Sequence, residues 1–249
     1  TITKKICWSN EHISGITQII QLKYPPPEIK KAEHINIASS SKDKTVRVWA
    51  VSKESLQIAL IYTWTDQIFT ICEINESAMA ICSNQVAIVN LFDKDDYQRI
   101  DSHFGSIKSA YYIKEDKQLL IGSSELKKLE IFHLKVKQFF DIKMKDCIRT
   151  EKAFGINEIM RLDNGDFIIC EDDHLKICRF NNKQTPSTLL YGKSSTYLDK
   201  MSKVMGYDDI ILCCNSKGFV YCWNIREKTL LFQIMTPHKG KLCFLSYAL

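Results

Sequence analysis

The sequence predicts an all-β propeller built from four-stranded antiparallel blades. Three observations predict it. Residues 35–49 read as two short strands around a tight turn, with Ile37 and Ala38 leading in, residues 41–44 turning, and Thr45, Val46 and Val48 alternating up to Trp49. The second strand of that hairpin recurs, with matches at residues 85–91, 128–134, 174–180 and 219–225. The place of Trp49 is taken in turn by Val89, Phe132, Cys178 and Trp223. A steady period of about 40–45 residues, with room for four strands, is the signature of a propeller.

The remaining strands follow from the same frame. A short apolar strand precedes each copy, at residues 78–82, 119–122, 167–170 and 210–213. Asn164-Gly165 predicts a two-residue hairpin, which needs positive φ at both central positions, and Lys217-Gly218 marks a similar turn. An inner strand opens each unit, as at 16–22 and 156–162. A fourth, more polar strand closes it, at 56–62, 97–101, 138–144, 187–191 and 229–235. Polar outer strands suit a blade rim that meets water.

This pattern resembles the WD40-repeat family over nearly the whole chain. The residues that carry the likeness are His12, Ser39, Ser40, Ser41, Asp43, Thr45 and Trp49 in the first unit. They continue with His103, Gly122, Ser123, Ser124 and Phe132 in the third, Asp173 in the fourth, and Ser216, Gly218, Val220 and Trp223 in the fifth. The resemblance implies that His, Ser or Thr, Asp and Trp form a hydrogen-bonded set tying the strands of a blade. Only the first unit has all four residue types, and no unit has the Trp-Asp dipeptide. The other blades are therefore expected to rely more on packing.

Residues 2–8 read as an outer strand with no blade before it, and 241–249 as an inner strand with no blade after it. An inner and an outer strand cannot close a ring by pairing with each other. The expectation is five whole blades and partial strands at both ends, forming a single domain over 1–249 within a longer chain whose ring has six or seven blades. An insertion at 23–34 carries Pro25, Pro26 and Pro27. Proline there forbids strand pairing, leaving either a partner-binding loop or a tolerated insertion.

Composition narrows the function classes. The chain has 249 residues, of which 45% are hydrophobic, enough for a sizeable core. Its net charge of +5 is spread among nearby acids, so nucleic acid is not the expected partner. No apolar run reaches the roughly 18 residues of a membrane helix. The ten cysteines form no C-x-x-C pair and lie mostly in apolar runs, where they read as reduced core thiols of a cytoplasmic protein.

No catalytic, metal or cofactor arrangement is expected. His12, His103 and His238 precede inner strands, and the paired carboxylates Asp172-Asp173 and Asp208-Asp209 are expected at turns. Loops 145–155 and 192–197 are expected on the face where, by the resemblance, partners bind. Arg and aromatic residues are favoured anchors at interfaces, which selects Trp64, Phe104, Arg149, Phe154 and Tyr197. For Phe154 and Trp64 the opposing reading is that they start inner strands and pack in the core. The expected function is a non-catalytic scaffold or adaptor for protein contacts. Two rivals are a recognition domain of a larger protein, such as a ubiquitin ligase or kinase, and a structural part of a cytoskeletal or ciliary assembly.

Overall fold

A computed structural model describes residues 11–23, 35–52, 56–100, 105–136, 142–152, 155–172, 174–178, 188–190, 198–204 and 206–237. The regular structure there is all strand, arranged as five four-stranded sheets, each in chain order. The first sheet holds β1 (Ile16–Gln21), β2 (Ile35–Ser41), β3 (Thr45–Val51) and β4 (Leu56–Thr63). The second holds β5 (Thr70–Asn75), β6 (Ala78–Cys82), β7 (Val86–Asn90) and β8 (Tyr97–Ile100). The third holds β9 (Ile107–Ile113), β10 (Gln118–Ser123), β11 (Lys128–Val136) and β12 (Ile142–Lys152). The fourth holds β13 (Ile156–Arg161), β14 (Phe167–Glu171), β15 (Leu175–Cys178) and β16 (Thr188–Leu190). The fifth holds β17 (Leu198–Val204), β18 (Tyr207–Asn215), β19 (Phe219–Asn224) and β20 (Thr229–Met235). These are the expected blades of a propeller.

The strands fall into two compact units. One comprises Thr1–Leu120 and Ile131–Ile148, the other Ile121–Glu130 and Arg149–Leu249. In the first unit, alternate residues Val46, Val48 and Ala50 of β3 share one core with Met79 and Ile81 of β6 and Ala87 and Val89 of β7. This is the two-residue period of a strand put to use. Strand β6 is buried at every position, which is why it reads as an unbroken apolar run rather than an alternation. In the second unit Ile168, Cys170 and Leu175 pack with Ile211, Cys213 and Trp223.

Two irregularities recur and mark the repeat more sharply than sequence does. The first-strand ladder shifts register between Ile16 and Gln18, between Ile156 and Glu158, and between Leu198 and Lys200. The ladder to the outer strand shifts just before the tryptophan, between Val48 and Trp49 and again between Cys222 and Trp223. Such bulges bend a strand and re-aim side chains.

Four expectations need correction. Gly165 has a φ of +85°, but Asn164 does not share the left-handed region. The Gly165 N–H donates to Leu162 O at 3.0 Å and the Leu162 N–H to Asp166 O at 2.7 Å, so the turn has three residues rather than two. The Asn164 side chain instead accepts the Asp166 N–H at 2.9 Å, which secures the turn without a second positive φ. The fourth strand of the third sheet is displaced: β12 runs through most of the expected loop 145–155. No glycine or proline interrupts residues 142–152, so nothing there stops a strand. Asp208 and Asp209 lie inside β18, not at its turn. The closing strands are not uniformly polar, since β20 exposes Leu230, Leu231, Phe232, Ile234 and Met235. The expected end strands at 2–8 and 241–249, and residues 24–34 of the insertion, lie outside the described residues.

Candidate functional site

The polar side chains that the sequence singled out in the first sheet meet in one buried chain of hydrogen bonds. The indole N–H of Trp49 donates to Ser39 Oγ at 2.7 Å. Ser39 Oγ lies 2.7 Å from His12 Nε2, and His12 Nδ1 lies 2.8 Å from Asp43 Oδ2. The simplest proton assignment has Ser39 donating to Nε2 and the Nδ1–H donating to the carboxylate, which gives each ring nitrogen a partner. Asp43 also accepts the Ile13 N–H at 3.1 Å, the Thr45 N–H at 2.9 Å and the Thr45 hydroxyl at 2.7 Å.

These residues come from the segment before β1, from β2, from the β2–β3 turn and from β3. The set therefore ties β2 and β3 to the segment that leads into β1. Only 5% of the His12 side chain and 1% of the Asp43 side chain are exposed. Burial by itself raises a carboxyl's pKa, but hydrogen bonds from Thr45 and His12 outweigh it and hold Asp43 far below the usual carboxylate range. Both ring nitrogens of His12 are committed, so neither is left for proton transfer to a substrate.

The fifth sheet keeps the frame and changes the atoms. Trp223 occupies the Trp49 place and packs in one core with Cys213, which stands where Ser39 does. The registers agree, since Ser39 pairs with Arg47 and Cys213 with Tyr221, each two residues before the tryptophan. Asn215 takes over the turn, its Oδ1 accepting the Lys217 N–H at 3.0 Å and the Phe219 N–H at 2.9 Å. Cys213 is not a hydroxyl and so does not match Ser39 by residue type, but its ten-residue spacing to Trp223 equals that of Ser39 to Trp49.

In the fourth sheet the tying carboxylate is Asp172. It accepts the Gly155 N–H at 3.1 Å and faces Asn157 Nδ2 at 3.4 Å. A β-carbon at Gly155 would lie 2.7 Å from the carboxylate oxygens, so a side chain there would push the Asp172 carboxylate aside. Asp173, the residue singled out for this role, lies outside the described residues. So do His103, Phe104, Phe154 and Tyr197. Arg149 falls within β12.

Trp64 is described, and its ring is largely taken up by the fold. It is 8% exposed and belongs to the core of the first unit. Its remaining face meets two residues of β8: Tyr97, at 5.6 Å and 72° between ring planes, and Arg99, whose guanidinium sits 4.8 Å from the indole centre.

Of the seven cysteines with described side chains, six are buried and Cys72 is half-buried. Burial pushes Cys72 up to about 12 and raises Cys82, Cys170 and Cys213 as well. A thiol so raised is a poor nucleophile and a poor metal ligand. Among the described residues no group of three His, Cys, Asp or Glu is placed to hold a metal ion.

No protein-family model matches the sequence, and no curated protein matches it. In structure, the chain is similar to the WD40 β-propeller domain of Doa1, known from its crystal structure. The TM-score is 0.65 at 13% identity, over 92% of this chain and 71% of that one. The chain has the fold of a WD40 propeller.

Proposed function

We propose that this chain is a non-catalytic platform that presents a rigid surface to other proteins. The observation that carries the reading is the fate of the polar side chains. Among the described residues, His12 and Asp43 are consumed in tying the segment before β1 to β2 and β3. A sheet tied in this way keeps its rim and loops in one geometry, and a pre-organised surface loses less entropy on binding. The WD40-like fold supports the same reading by analogy only, because fold alone does not fix function. The described thiols are free and mostly buried, which suits a reducing compartment, and cytoplasmic placement belongs to this proposal.

The test is photo-crosslinking of the chain in cells, with the crosslinker placed in turn along the rim and loops. Each captured protein is then purified and titrated against the chain. The expected result is a saturable one-to-one complex with at least one captured protein, mapped to a defined set of positions. Turnover of a small-molecule substrate without such a complex contradicts the proposal.

A further inference from the structure

The two arginines described in the first unit, Arg47 and Arg99, differ in their partners. Arg47 donates to Glu11 Oε2 at 3.1 Å, and in the second unit Arg226 reaches Asp209 Oδ2 at 2.8 Å. Arg99 is exposed, and among the described residues its guanidinium meets two rings: the indole of Trp64 at 4.8 Å and the phenol of Tyr97 at 5.5 Å. Tyr97 and Arg99 are two residues apart on β8, so they share a face of the strand. The indole is itself fixed in the core, where Trp64 is 8% exposed. The guanidinium thus lies over an aromatic shelf on an exposed residue, where its donor fork is open to a partner. That is the geometry suited to an oxyanion, because the planar fork gives two parallel charge-assisted hydrogen bonds to a carboxylate or phosphate.

The surroundings set the partner's polarity. The turn before β8 carries Asp93, Asp95 and Asp96 with one lysine, Lys94, and Asp96 is pinned by Asn90 Nδ2 at 3.0 Å. At about 3.3 Å per residue, Arg99 lies roughly 10 Å along the strand from Asp96. This is about one screening length at physiological salt. Positive and negative ends are therefore felt separately. A uniformly anionic polymer such as nucleic acid meets repulsion at the aspartate end. Strand β8 is also an edge of its sheet, its one neighbour being β7.

We propose that Trp64, Tyr97 and Arg99 form a docking site for a partner protein's extended segment. That segment places an acidic group, a carboxylate or a phosphorylated side chain, on Arg99 and a basic residue three or four positions away against the aspartate turn. The proposal deepens the platform reading and rests on it. Trp64 then acts through Arg99, as the shelf that orients it, rather than as a contact itself.

The probe is an array of 12-residue peptides with a glutamate and a lysine separated by two or three residues. Its controls carry glutamine for glutamate, phosphoserine for glutamate, or glutamate with no lysine. Binding to the full chain is measured by fluorescence anisotropy for the unsubstituted protein, Arg99→Ala and Arg99→Lys. Arg99 is exposed, so both variants are expected to keep their circular dichroism and Tm. The expected result is that glutamate-to-glutamine costs about tenfold or more in affinity, and that Arg99→Ala abolishes the preference. Arg99→Lys retains charge but not the fork and falls between. The ratio of phosphoserine to glutamate affinity separates the two acid sources. An acidic preference that survives Arg99→Ala overturns the inference, as does equal binding of glutamate and glutamine peptides. If in either case other peptides still bind saturably, the platform reading stands; if no peptide and no crosslinked protein binds, both fall.

Discussion

The first and fifth sheets place a tryptophan in the same register and surround it with different atoms. In the first, the Trp49 indole ends a buried chain through Ser39 and His12 to the Asp43 carboxylate. In the fifth, Trp223 packs in one core with Cys213, and the turn is closed by Asn215. A sulfur is a weak acceptor and a good core atom. The polar chain trades burial for direction, and the sulfur trades direction for burial. One fold accommodates both because packing supplies most of its stability in either case.

The largest expected break in this comparison is at Asp43. Its carboxylate accepts from Ile13, Thr45 twice and His12, and truncation orphans those donors in a buried site. Asp43→Ala should cost about 2–4 kcal/mol in urea unfolding. The matching residue of the fifth sheet, Lys217, is exposed, and Lys217→Ala should change stability by less than about 0.5 kcal/mol. The two profiles should differ with pH as well. Asp43 has a depressed native pKa, so its stabilisation is present above the unfolded value of about 3.9 and is lost as pH falls below it. Asp43→Ala should therefore flatten the acid limb of the stability curve, and Lys217→Ala should leave it in place.

A smaller effect is expected where the first and fourth sheets diverge. Gln18 Oε1 accepts the Ile71 N–H at 2.7 Å, and after the same bulge Glu158 accepts the Met201 N–H. Burial raises the pKa of Glu158 despite Lys200 at 3.7 Å. A raised carboxyl pKa favours folding below the unfolded value of about 4.3, and that advantage is lost as pH rises through the native pKa. Glu158→Gln copies Gln18, keeps the acceptor and removes the charge. It should raise stability near pH 7 by about 1 kcal/mol or less and leave it unchanged near pH 4, read from urea midpoints.

The smallest effect is at the hairpin tips. Lys44 holds a φ of +70° where Gly218, at +84°, occupies the matching turn of the fifth sheet. A side chain in that region costs about 1 kcal/mol, and glycine returns part of this as unfolded-state entropy. Lys44→Gly should raise Tm by a degree or two.

The sequence made the blades legible because strand β3 and its copies carry the period, and because β-branched and aromatic residues stand at buried positions. His12, Ser39, Asp43 and Trp49 were legible as a set, since all four residue types occur together only there. Cys213 was not, because the repeat was read by residue type and a thiol does not look like a hydroxyl. Strand β12 was misplaced because its charged residues suggest a loop, while the absence of glycine or proline permits a strand. Trp64 was legible as an aromatic worth noting, but whether it faces solvent or a guanidinium depends on β8, more than 30 residues later in the chain. Sequence patterns report periods and turn chemistry, and tertiary partners at long range lie outside them.

The claim that one sheet is held by a directed polar chain and the other by packing is tested most directly by paired double-mutant cycles. Ser39→Ala and Trp49→Phe, alone and together, give the coupling in the first sheet; Cys213→Ala and Trp223→Phe give it in the fifth. The account predicts a coupling of about 1 kcal/mol or more between Ser39 and Trp49, and less than about 0.5 kcal/mol between Cys213 and Trp223. Equal couplings, or a larger one in the fifth sheet, would contradict it.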